Sequence, residues 1–274
     1  MNRQYSIPVV ALGLFLMGTG SALAANVKEK MVSFGALEAV KAEAARTQAA
    51  AWLKDIGKTD AATTQQLNAI WAREDRTVLD RVADSLALGS ADAARLLAQA
   101  RDPRTPAPTE VPAILKDAKQ PTFFRANLAL AYARALANRR VHEEALDTLK
   151  LVQPEHVVAP ASYLFHRAVC EHALLQRKEA SRTINRLLDD TASDSPERYK
   201  TVSALMLLDM QTWKDKDLGA IARKMENIER RLELARGGPQ TQKLQREVLA
   251  RLDEMIKELE NKAKQPPNPS PGGS

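Results

Sequence analysis

The sequence predicts an all-α protein of stacked helical hairpins that ends in an antiparallel helix pair. Its 274 residues are 45% hydrophobic and only 4% aromatic. Ala, Leu, Arg, Lys and Glu are abundant, a profile that suits helices better than a β-sandwich. Apolar residues recur three and four positions apart, the spacing of one helix face. With 11 Gly and 14 Pro, collagen-like repetition and wholesale disorder are excluded. The length suits one large domain or two small ones.

Residues 1–24 read as a secretory signal. Arg3 supplies the positive start, Ile7 to Met17 the apolar core, and Ala22 and Ala24 the small residues before a cut. The mature chain then begins at Ala25 and is exported, periplasmic or extracellular. The apolar core is too short and too broken by Pro8 and Gly13 to span a bilayer. No later run has spanning length, so no membrane span is expected in the mature chain. The lone cysteine, Cys170, has no partner for an internal disulfide.

A first unit, 25–102, holds four expected helices. One runs from Val27 to about Ile56 with Met31, Phe34, Leu37, Val40, Trp52 and Leu53 at helical spacing. Gly57 ends it, and Thr59 or Asp60 caps a second helix bearing Leu67, Ile70 and Trp71. Val78, Leu79, Val82 and Leu86 mark the third; Ser90 opens the fourth, with Leu96 and Leu97. Pro103, Pro106, Pro108 and Pro112 then make 103–121 an extended linker or surface strap.

From Thr122 two helix pairs follow, and their residues repeat. Ala133 and Ala168, Ala145 and Ala180, and Leu149 and Ile184 each stand 35 positions apart. Over about 70 residues this resembles the tetratricopeptide repeat, a helical hairpin of ~34 residues with small side chains where its helices touch. The resemblance implies a superhelical array with a concave binding groove; a generic stack of hairpins fits the same spacing. Leu136 has Glu171 as its counterpart, and a strict third copy is missing.

The segment 122–264 closes with the expected helix pair. Leu218, Ile221, Met225, Ile228 and Leu232 line one helix; Gly237, Gly238 and Pro239 turn the chain; Leu244, Val248, Leu252, Met255, Ile256 and Leu259 line the other. So short a turn makes the two antiparallel. Acid-first pairs four apart, such as Glu226 with Arg230 and Glu247 with Arg251, mark their outer faces as wet. Residues 265–274 read as a disordered tail.

Charge narrows the partners. Lys plus Arg number 40 against 34 Asp plus Glu, and the excess is spread rather than gathered, so nucleic acid is not expected. No phosphate loop, zinc-protease helix, Cys-x-x-Cys or serine elbow appears, and no cofactor is expected. His166 and Cys170 stand one helical turn apart, two potential metal ligands, but His172 points about 120° away from His166. The reading is a non-enzymatic exported scaffold that binds a protein or peptide in the cell envelope. Its groove residues are Tyr132, Arg139, Arg140, His166 and Arg167. The alternatives are a self-associating structural protein and a metal- or thiol-dependent enzyme using Cys170 and nearby histidines. Oligomeric state stays open.

Overall fold

The computed structural model describes residues 35–264, and among them lie twelve α-helices and no strand. The leader, the 265–274 tail and the first-helix residues Val27, Met31 and Phe34 lie outside the described residues.

Helices α1 (Ala42–Asp55), α2 (Ala61–Trp71), α3 (Val78–Gly89) and α4 (Ala91–Arg101) form the first group. Their starts follow from short polar residues that satisfy the free amides of the first turn. Asp60 accepts from the Thr63 amide at 2.9 Å, Thr77 from that of Asp80 at 3.1 Å and Ser90 from that of Ala93 at 3.2 Å.

The expected first helix is shorter at its N-terminus than its periodicity suggests. Residues 35–41 precede α1 without helical structure. Gly35 has φ of 73°, and the Gly35, Leu37 and Val40 amides donate to the carbonyls of Asp189, Asp190 and Val158. Those donors are committed across the fold rather than along the chain, so helix cannot propagate through them. Leu37 still reaches the core, at 8% exposure.

The proline-rich stretch is a strap with one helical turn, α5 (Ala113–Lys116), which buries Leu115. Its free carbonyls are held by arginines: Arg139 donates to Thr105, and Arg236 donates to Pro108 at 2.6 Å.

Four helices make the two repeated hairpins: α6 (Thr122–Asn138), α7 (His142–Lys150), α8 (Pro160–Ala173) and α9 (Arg177–Asp190). The 35-residue spacing extends to the turns. Arg140 and Leu175 both sit in the left-handed region, with φ of 61° and 60°. The next amide, Val141 or Gln176, bonds back to Leu136 or Glu171 at 3.0 and 2.8 Å. This closure satisfies helix-end carbonyls without the usual glycine, at a cost of ~1–2 kcal/mol for each left-handed side chain. Ala133, Ala145, Ala168 and Ala180 have no solvent exposure, so the helices meet through small side chains.

The last helices are α10 (Glu197–Gln211), α11 (Leu218–Glu233) and α12 (Pro239–Lys264). Three apolar clusters form among the described residues. The main one runs from Leu37 to Tyr199 with α6 within it; a second joins Ala168, Ala180 and Ile184 to Met206 and Met210; a third joins Ile221 and Ile228 to Val248.

An ionic cluster fastens α11 to α7. Glu143 receives Arg230 at 2.7 and 2.8 Å and Arg231 at 2.5 Å, and Arg236 reaches Glu144 at 2.9 Å. Arg230 therefore turns inward, 3% exposed, and not onto the wet face with Glu226 that its spacing suggests. On the other helix, Glu247 pairs with Lys224 at 2.9 Å, and Arg251 with Glu254 and Glu258. Burial raises the Glu143 pKa, but the guanidinium of Arg230 outweighs it and holds the carboxylate at about 2. Because that pKa is depressed, its stabilisation is complete above the ordinary value of 4.5 and is lost as pH falls toward about 2.

Two substitutions test this packing. Glu143→Gln leaves buried arginines without their shared charge and is expected to cost ~3–5 kcal/mol in thermal or denaturant unfolding. Gly89→Ala places a Cβ 2.4 Å from the Trp52 ring, which itself stacks on Phe124 at 5.0 Å; the expected loss is ~1–3 kcal/mol, measured the same way.

Candidate functional site

The C-terminal half of α6, the middle of α8 and the start of α10 surround a cleft of about 680 Å³. Ala131, Arg134, Ala135 and Asn138 of α6 form one wall, a single helix face by their spacing. Phe165 and His166 of α8 and Arg198, Tyr199 and Val202 of α10 form another. Asp80, Arg101, Pro103 and Arg139 complete the lining.

Small side chains on α6 leave the space, and aromatic stacking gives it a rigid side. Phe165 and Tyr199 stack at 4.0 Å with rings 9° from parallel, and His166 meets Phe165 edge-on at 5.3 Å. The Arg198 guanidinium lies 5.1 Å from the centre of the Tyr199 ring, a cation–π contact.

The electrostatics are one-sided. Four arginines, 101, 134, 139 and 198, face one carboxylate, Asp80. Asp80 pairs with Arg134 and accepts from the Thr77 hydroxyl at 2.7 Å. Burial pushes the Asp80 pKa up, yet the Thr77 bond and the Arg134 charge prevail and hold it below the usual value. Arg139 donates to the carbonyls of Gln99 and Ala100 at 3.2 and 3.4 Å, which locks the α6 end to α4. Among the described residues Arg198 has no carboxylate at ion-pair distance.

His166 contributes a neutral ring. Its Nδ1 donates to the Ser162 carbonyl at 2.7 Å, which leaves Nε2 as the acceptor nitrogen. Burial, aided by Arg134 and Arg198, drives its pKa down to about 4 against the opposing Ser162 bond.

Of the groove residues expected from sequence, Arg139 and His166 line the cleft and three lie elsewhere. Tyr132 is 3% exposed, packed inside the main core. Arg140 occupies the left-handed turn and pairs with Glu233 at 3.0 Å. Arg167 folds back along α8 to Glu171 at 2.8 Å and the Tyr163 hydroxyl at 3.2 Å. The faces of α6 and α8 that carry these side chains are turned from the cleft. Arg101, Arg134, Phe165, Arg198 and Tyr199 were not anticipated. One signal was available: His166 stands 35 residues after Ala131, so the repeat marks both as one face.

Cys170 is fully buried, and burial lifts its thiol to about 12. It is therefore protonated at neutral pH and a poor nucleophile or ligand. Among the described residues no three His, Cys, Asp or Glu side chains are grouped to hold a metal, and none of the helices is long and apolar enough to cross a membrane. His172 instead meets Asp209 at 2.8 Å, beside Trp213.

Compared with protein-family models, curated proteins and solved structures, the chain matches none.

The buried histidines set an acid dependence. His142 and His166 both titrate at about 4 in the fold, each depressed chiefly by burial, from an ordinary 6.5. Their contribution is complete above 6.5 and declines as pH falls toward 4. The thermal midpoint is expected to drop across that window, and the drop to shrink in a His142→Gln/His166→Gln double variant.

Proposed function

We propose that this chain is an exported, non-enzymatic helical scaffold that binds an extended, acidic segment of a protein or peptide partner in the α6–α8–α10 cleft. The observation that carries this reading is the arginine excess over a stacked aromatic wall. Guanidinium groups pair bidentately with carboxylates, and ring faces accept the intervening apolar side chains. Arg198 is exposed and among the described residues has no carboxylate at ion-pair distance, so an incoming acid finds it available. Burial and the high thiol pKa of Cys170 support a binding role over thiol chemistry. The repeated hairpins, matched in sequence spacing and in turn geometry, support a tetratricopeptide-like array. The leader supports export, which Edman or mass-spectrometric sequencing of the native protein tests, with Ala25 expected as first residue.

Binding is tested with a fluorescent peptide alternating Glu and Leu. The parent is expected to bind it, with affinity falling as salt rises, because the attraction is screened over ~8–10 Å at physiological salt. Arg198→Glu, an exposed change, is expected to weaken it by about tenfold or more, or ~1.4 kcal/mol. A variant that binds like the parent would exclude the cleft as the site.

A further inference from the structure

The C-terminal hairpin carries a second surface, independent of the cleft. α12 has 26 residues against 16 in α11. The carbonyl of Lys216, just before α11, accepts from Arg251 at 2.7 and 3.0 Å, which fixes where α11 runs out. Met255 still packs on the hairpin core, but every residue from Ile256 to Lys264 is exposed. That free end is apolar on one side: Ile256 is 53% exposed and Leu259 63%.

A regular stripe runs along α12, exposed except at Leu252, which is half-buried against the hairpin core. Gln245, Leu249, Leu252, Ile256, Leu259 and Ala263 alternate steps of four and three, a coiled-coil seam. Beside it, Met225 and Leu232 of α11 and Leu249 of α12 line a groove of about 910 Å³ whose rim carries Glu226, Glu229 and Glu233. One face of α12, through Val248 and Met255, is already spent on α11.

We propose that two copies of this chain associate through α12, antiparallel about a two-fold axis near Glu254, the free end of each copy lying along the α11–α12 groove of the other. In this register Leu249 faces the second copy's Leu259, Leu252 faces its Ile256, and Gln245 faces its Ala263, so the two apolar halves of the seam match. Arg246, on the solvent flank, meets the second copy's Glu260, twice by symmetry. Lys262, on the α11 flank, arrives at the acidic rim of the groove. Antiparallel pairing sets like flanks together. A parallel pair sets the solvent flank of one helix against the α11 flank of the other, where no opposite charge stands.

Sedimentation of the full chain from about 1 to about 100 µM tests the association, with a monomer–dimer equilibrium expected. Arg246→Glu alone and Glu260→Arg alone are each expected to weaken it by about tenfold, and the two together to restore it. Both positions of change are exposed, and circular dichroism checks that helix content is kept. Orientation is read from spin labels on Asp253→Cys and, separately, Lys264→Cys, Cys170 being buried. The label pair at 253, on the solvent flank beside the axis, is expected to be close, and the pair at 264 about 30 Å apart, twenty residues of helix rise. A monomer at every concentration, single variants that dimerise like the parent, a close pair at 264, or association seen only on phosphatidylglycerol vesicles overturns the proposal.

Discussion

The structure depends on the burial of α6. Leu128, Ala129, Leu130, Ala133 and Leu136 are all at 0–1% exposure, so this helix is covered on nearly every side. A helix so enclosed lacks an amphipathic pattern, and its neighbours must approach it closely. α3 and α4 pack on one side, α7 and α8 on others. Its remaining face, Ala131 to Asn138, is the cleft wall. One polar side chain trapped within it is satisfied internally: Asn127 donates to the Phe123 carbonyl and accepts from the Val158 amide, both at 2.8 Å. Tyr163 closes the α7–α8 junction by donating to the Leu149 and Val152 carbonyls at 2.9 and 3.1 Å.

Arginine does much of the rest, in two different settings. In the Glu143 cluster it is buried and paired, so each guanidinium offsets the desolvation of a carboxylate and fixes α11 against α7. At the cleft it is partly solvated, with Arg134 and Arg139 held in place by Asp80 and by carbonyls. Those fixed groups create a positive concavity, and Arg198, which among the described residues has no carboxylate at ion-pair distance, brings a further charge to its edge.

Helix content and several helix boundaries were legible, because they rest on local chemistry: Asp60 and Ser90 announce their helices, and Gly237, Gly238 and Pro239 turn the chain between the last two. The 35-residue spacing was legible too and reaches the backbone, in the paired left-handed Arg140 and Leu175. The residues that misled are those decided by distant partners. Leu37 and Val40 keep helical spacing but lie in a segment whose amides bond to Asp190 and Val158. Arg230 is spaced as a surface residue yet buried by Glu143. Tyr132 and Arg167 belong to the right helices, but one helical face separates core from cleft, and periodicity alone does not say which face an array leaves open.

Hydrogen exchange of the full chain, with and without an acidic peptide, reads the enclosure of α6 and the occupancy of the cleft together. The slowest amides are expected in Leu128–Leu136 of α6, and peptide-induced slowing at the start of α10, around Arg198–Val202, with the Arg101–Pro103 edge. Exchange in α6 as fast as in the exposed end of α12, or peptide protection confined to other helices, would contradict this expectation.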